Sequence, residues 1–190
     1  MRLVVWAVID KAKATGFDED VLLIERYLSG DEASFERLYA KYYDKVYALA
    51  RGVLFDSEEA ADAVQEIFTL VYRHLNRFDR RARFSTWVFR IAVNRSIQQA
   101  RRLKVRPKQT ELNEAITEEH EPTTASFSDP RIEGCLARLH PSDRAALVLF
   151  YWEELSLQDI ADSLGCSVNA AKTRLYRARE RFRAVYDGEG

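Results

Sequence analysis

From Phe35 onward the apolar residues return at Leu38, Tyr39, Tyr42, Val46, Leu49, Ala50 and Val53, spacings that place them along one side of a helix. A second helix is predicted after the stretch FDSEE, where Asp56 or Ser57 can cap the first turn and Glu58 and Glu59 suit its positive end. Its apolar side is Ala60, Ala61, Val64, Ile67, Phe68, Val71, Tyr72 and Leu75, and an ordered polar stripe runs along the other: Asp62, Gln65, Glu66, Thr69 and Arg73. A third helix begins near Ser85. No run of period-two alternation bounded by turn residues occurs, so the fold is predicted to be all-α.

The helical period fails between about Val105 and Ser128, where Pro107, Pro122 and many Glu and Thr replace large apolar residues. That is the composition of a linker. A second helical unit follows. It opens with a helix near Arg131 to Leu139, then HPSDRAALVLFYWEEL, in which Pro141 and Ser142 suit a helix start. In SLQDIADSLGCSVNAAKTRLYRARERF, Ser156 can cap a helix with Ile160, Ala161 and Leu164 inside, and Gly165 can supply the positive φ of a tight turn. Ser167 can cap the next helix, whose inner side is Val168, Ala171, Leu175, Ala178 and Phe182. This is the pattern of a helix-turn-helix. Asn169, Lys172, Thr173, Tyr176 and Arg177 are left facing outward, and Arg179 and Arg183 follow.

Charge sharpens the picture. The 190 residues have a net charge of only −1, yet the charges are segregated. Residues 18 to 66 carry 13 acidic and 5 basic side chains, whereas residues 77 to 108 carry 11 basic side chains and Asp79 alone as an acid. Residues 109 to 133 return to 7 acidic against Arg131, and residues 167 to 183 carry 6 basic against Glu180. Two cationic blocks separated by an acidic spacer point to two surfaces that meet nucleic acid. The first block also interleaves arginines with aromatic and apolar residues, as FSTWVFRIAVNRSIQQARR from Phe84 to Arg102 shows. Such a mixture suits a protein that unstacks or holds bases while cations grip the backbone.

Other classes fit poorly. The apolar run from Leu3 to Ile9 is far shorter than the roughly 20 residues of a membrane span, and Asp10 and two lysines follow it without a cleavage site, so no membrane insertion and a cytoplasmic location are expected. Cys135 and Cys166 lie in no metal-like or redox-like spacing. His74, His120 and His140 are scattered, no Glu-x-x-His pair occurs, and no Gly-rich phosphate loop is present, so an enzyme is not expected and no cofactor is implied. A transcription regulator with a sensing first domain would share the helix-turn-helix but would not need the cationic block from Arg77 to Lys108.

DAVQEIFTLVYRHLNRFD followed by FSTWVFRIAVN and then the helix-turn-helix resembles an extracytoplasmic-function (ECF) sigma factor of bacterial RNA polymerase, over roughly Phe17 to Phe182. The resemblance implies a sigma region 2-like domain at 17–104, a linker at 105–128 and a region 4-like helix-turn-helix domain at 129–187. It implies that Asp62, Gln65 and Glu66 dock on the clamp coiled coil of core RNA polymerase. It further implies that the loop NRFDRRARF and the next helix, with Arg77, Arg80, Arg83, Trp87, Arg90 and Asn94, capture the minus-ten promoter element as single-stranded DNA. Lys172, Thr173, Arg174, Tyr176, Arg177 and Arg179 would meet the minus-thirty-five element as duplex, with Arg174 and Arg179 on phosphates. The implied partners are core RNA polymerase, promoter DNA and an anti-sigma factor. Residues 1–16 are additional to the family pattern, and three readings stand for them: a packing helix, an anti-sigma contact, or a start codon placed too far upstream.

Overall fold

A computed structural model describes residues 19–80, 82–105 and 130–188. The predicted extension, and all of the predicted linker except the backbone of Val105, lie outside the described residues, as do Arg81, Lys108 and His120. Among the described residues every regular element is helical. Helix α1 covers 19–28, α2 Glu32–Leu54, α3 Ser57–His74 and, after a 3₁₀ turn at Leu75–Arg77, α4 Phe84–Val105. The second unit contains α5 Pro130–Ala137, α6 Pro141–Tyr151, α7 Leu157–Leu164 and α8 Val168–Gly188.

The first three long helices pack on one another through the faces the periodicity predicts. Leu38, Val46, Leu49 and Val53 of α2 meet Val64, Ile67 and Val71 of α3 and Phe84, Val88, Phe89 and Val93 of α4 in one core. Asp56 is the cap of α3, its carboxylate accepting from the Glu59 N–H at 2.9 Å. Helix α2 ends on Phe55, whose φ of 58° is an uncommon value for a bulky residue and turns the chain sharply toward α3. Helix α1 is pinned through buried Asp20, which accepts from the Tyr42 O–H at 2.6 Å and from Lys41 Nζ at 2.7 Å. Burial first, then the Asp20 carboxylate, pushes the Tyr42 phenol well above its ordinary pKa, so it stays a donor.

Three positions depart from the predicted faces. Tyr39 and Tyr72 are 39% and 53% exposed. They sit at the edge of their apolar sides, where the rings pack on Phe68 and Phe35. Val168 is exposed as well, because burial on α8 begins one position-cycle later, at Ala171, and continues through Leu175 and Ala178.

The two units pack directly against each other. Helix α6 is buried on nearly every side, from Asp143 to Leu149, because it touches α2 and α4 as well as α7 and α8. Helix α4 runs along α7.

Candidate nucleic-acid and polymerase interfaces

The helix-turn-helix is built by local chemistry. The Ser156 hydroxyl donates to the Asp159 carboxylate while the Asp159 N–H donates back to Ser156 Oγ at 3.1 Å, a reciprocal cap that starts α7. Gly165 ends α7 at φ 64°, and the Cys166 N–H closes the turn on the Ala161 carbonyl at 2.9 Å. Ser167 Oγ then accepts from the Ala170 N–H at 3.2 Å and starts α8. With Ala171, Leu175 and Ala178 inward, Lys172, Thr173, Tyr176 and Arg177 are presented to solvent in a row.

The remaining cations of α8 are differently engaged. Arg174 Nη1 lies 3.6 Å from Asp143 Oδ1, and Arg181 pairs with the other oxygen of the same carboxylate. Arg179 is half-buried, its guanidinium 4.6 Å from the centre of the Phe150 ring and 5.4 Å from that of Tyr151. Beside α8 a groove of about 620 Å³ is lined by His140, Asp143, Asn169, Thr173, Arg174, Arg177 and Arg181. His140 caps α6, its Nδ1 accepting from the Ser142 N–H at 3.3 Å. Burial, with Lys104, Arg101 and Arg174 nearby and Asp143 opposing, holds its imidazole below the ordinary histidine pKa.

On the first unit, Trp87 is half-buried, with ring centres 5.6 Å from Phe78 and 5.8 Å from Phe84. One side of the indole thus belongs to the core. Arg77, Arg80 and Arg83 are exposed around the loop before α4, and Arg90 and Asn94 are exposed along it. Arg80 holds φ 61° and pairs with Glu25 at 2.7 Å. Asp62, Gln65 and Glu66 share one exposed patch on α3, and Glu66 forms an ion pair with Arg95 of α4.

The helix expected to take the melted strand is in contact with the helix-turn-helix. The Thr86 hydroxyl donates to Asp159 Oδ1 at 3.2 Å, and the Arg90 guanidinium comes so close to Gly165 that a Cβ there would lie 3.6 Å from it. Two more links join the units. Arg51 of α2 pairs with Glu133 of α5 at 2.9 Å, and the buried Arg144 of α6 lies over the Phe55 ring at 5.0 Å. Burial lowers the Arg144 pKa to about 10, still far above neutrality, so the cation persists.

Comparison with known proteins decides the family. Residues 38–106 match the Sigma-70 region 2 family and residues 130–182 the Sigma-70, region 4 family. The RNA polymerase sigma-H factor of Pseudomonas aeruginosa is 31% identical over 176 residues, which cover 86% of this chain and 91% of the relative. The chain is an ECF sigma factor of the sigma-70 family. The ECF RNA polymerase sigma-E factor of Escherichia coli is also 31% identical, over 174 residues covering 85% of this chain and 91% of that one. In three dimensions it is similar to CnrH in its complex with the cytosolic domain of CnrY, with a TM-score of 0.69, 25% identity, and coverage of 90% of this chain and 99% of that one. As a sigma factor it directs promoter recognition by RNA polymerase and is a non-enzymatic initiation factor. No helix among the described residues is long and apolar enough to cross a membrane, and none of these residues form a cluster of three or more His, Cys, Asp or Glu able to hold a metal ion.

Sequence reasoning passed over several residues that lie in or beside these candidate surfaces. Arg95 and Asp143 pair with partners 29 to 38 positions away, beyond any local spacing rule. Thr86, Asp159, Arg51 and Glu133 join helices of different units. A signal did exist for the aromatic edge: Tyr39 and Tyr43 stand four apart on α2 with ring centres 5.4 Å apart, and Tyr39 packs on Phe68 of α3.

Proposed function

We propose that this sigma factor acts in the cytoplasm through three surfaces: a polymerase-docking stripe, a single-strand reader for the minus-ten element, and a duplex reader for the minus-thirty-five element. The domains are assigned to 17–104 and 129–187, with 105–128 as linker. Asp62, Gln65 and Glu66 make the docking stripe. Arg77, Arg80 and Arg83 hold the backbone of the melted strand, and Trp87, Arg90 and Asn94 meet its bases. Lys172, Thr173, Tyr176 and Arg177 meet base edges in the major groove, while Arg174 and Arg179 flank the backbone. The resemblance to sigma factors solved in complexes, one of them with the anti-sigma factor NepR, supports an anti-sigma partner for this chain too.

The observation that carries this reading is the row Lys172, Thr173, Tyr176 and Arg177, exposed on a helix whose opposite side is locked into a helix-turn-helix. The test uses holoenzyme and a promoter selected by the wild-type holoenzyme from a random-sequence library. Asn94→Ala is expected to impair transcription in a manner confined to minus-ten variants and partly rescued by a premelted template, since unstacking a base costs a few kcal/mol. Arg177→Ala is expected to lose about 1–3 kcal/mol of discrimination at the minus-thirty-five element alone. If both variants respond alike to changes at both elements, the division of labour is wrong.

A further inference from the structure

The groove along the outer side of α8 has an acid for its floor. Asp143 stands in the first turn of α6 with its side chain only 6% exposed, and both carboxylate oxygens point at cations of α8. One oxygen takes Arg181 and the other faces Arg174 Nη1 at 3.6 Å. These two arginines are seven residues apart, two helical turns, so they occupy one flank of α8 with Arg177 between them. Arg177 lines the same groove and has no carboxylate partner among the described residues. Three arginines in a row therefore differ in kind: one is free to reach a partner, one is loosely held, and one is tied down.

We propose that Asp143 sets the sequence discrimination of region 4 by holding Arg181 off the DNA backbone and partly discharging Arg174. This inference rests on the reading that α8 enters the duplex groove. Non-specific affinity comes from phosphates neutralised by free Lys and Arg, while specificity comes from contacts to base edges. A guanidinium already paired with an internal carboxylate neutralises a phosphate only by giving up or sharing that pair. The carboxylate itself repels a phosphate entering the groove. Both effects suppress sequence-independent binding and leave the contribution of Lys172, Tyr176 and Arg177 intact. A merely structural role for Asp143, clamping α6 to α8, would have the opposite consequence when removed: weaker binding everywhere.

The test titrates the full chain onto a fluorescent mixed-sequence duplex by anisotropy across a salt series. Asp143→Asn is expected to tighten this binding about tenfold at low salt and to steepen the salt slope by about one unit, the increment of roughly one additional phosphate neutralised. Asp143→Glu, which keeps the charge, is expected to retain the wild-type slope. Arg181→Gln should leave the slope nearly unchanged in the wild-type background and remove the added unit in the Asp143→Asn background. A folded Asp143→Asn chain that binds no tighter, with an unaltered slope, overturns the role of Asp143. If Asp143→Asn does not fold, Arg181→Gln alone decides: loss of a full slope unit from the wild type shows that Arg181 was already on the backbone and overturns the inference. Arg177→Ala separates this failure from that of the reading beneath it. Should Arg177→Ala leave affinity for a duplex carrying the minus-thirty-five element of the selected promoter untouched, α8 is not the duplex-reading helix and both fall; should it weaken binding to that duplex while the Asp143 variants behave as wild type on the mixed-sequence one, only the inference falls.

Discussion

The polymerase-docking stripe can be tested with a perturbation whose side effects the structure calculates. Asp62 and Glu66 stand one turn apart on α3, but only Glu66 has a partner across the helix interface, in Arg95. Glu66 is 52% exposed at its side chain and Arg95 26%, so the pair belongs to the class of exposed or half-exposed ion pairs that contribute about 0.2–1 kcal/mol. Replacing Glu66 by Lys removes that contribution and sets a cation against Arg95, whose Nε is buried without a hydrogen-bond partner. The combined cost is about 1 kcal/mol, or a fall in Tm of roughly 2–4 °C for a chain of this size. Asp62→Lys has no such cost and should stay within about 0.5 kcal/mol of wild type. Both variants should lose affinity for core polymerase by about 10-fold or more, at least 1.4 kcal/mol each. Competition with labelled wild-type chain for core enzyme measures the affinity, and thermal unfolding of the free chain measures the side effect. An Asp62→Lys chain that competes as well as wild type would refute the docking assignment, because its stability offers no other explanation. Loss of binding in Glu66→Lys alone would mean that Arg95 positioning, not the stripe, had been disturbed.

Two further outcomes follow from the cap of α6 and from the link between α2 and α5. His140 caps α6 only while Nδ1 is free to accept, and its pKa is held below the ordinary histidine value, so the native state prefers the neutral ring. Stability from this cap is fully present above the unfolded-state pKa, about 6.5, and is lost as pH falls through the lowered folded value; His140→Asn, a cap that does not titrate, should flatten that part of the thermal-unfolding profile between neutral and mildly acidic pH, and an identical profile in both chains would exclude the mechanism. Glu133→Arg should repel Arg51 and cost the packed arrangement of the two units about 1 kcal/mol; energy transfer between dyes on α3 and α8 should report a shift toward greater separation, reversed by adding Arg51→Glu, and no shift in either chain would show that the pair does not hold the units together.

Helical periodicity made most of the fold legible, because helices α2, α3, α4 and α8 each bury one side and expose another. The caps were legible for a related reason: Asp56, Ser156, Gly165 and Ser167 act on backbone groups within a few residues of themselves. Tyr39, Tyr72 and Val168 misled because a period of 3.6 says on which side a residue lies and not how far the neighbouring helix extends over it. The packing of the two units was not legible in the sequence. Asp143 to Leu149 is buried on nearly every side, as suits a helix between two layers, but Asp143 and Arg144 read in the sequence as a solvated first turn.

Candidate site residues divide along the same line. Lys172, Thr173, Tyr176 and Arg177 could be read from composition and period because what sets them apart is exposure on one helix. The roles of Arg90 and Thr86 could not, since they depend on a helix some 70 positions away. Thr86, Arg90 and Asn94 are spaced by four residues and so drift slowly around one flank of α4. Helix α7 and its turn touch the first two of these positions, although Arg90, like Asn94 one turn further on, stays exposed. On the proposed reading a base reaches Asn94 with the two units still packed, whereas a strand laid along Arg90 and Trp87 meets Asp159 and Gly165 on that flank. If α4 takes the melted strand as proposed, capture of the strand and separation of the units are coupled. On that ground a chain loosened by Glu133→Arg should bind a minus-ten single strand more tightly through Arg90, and Asp159→Ala should act in the same direction by removing the partner of Thr86.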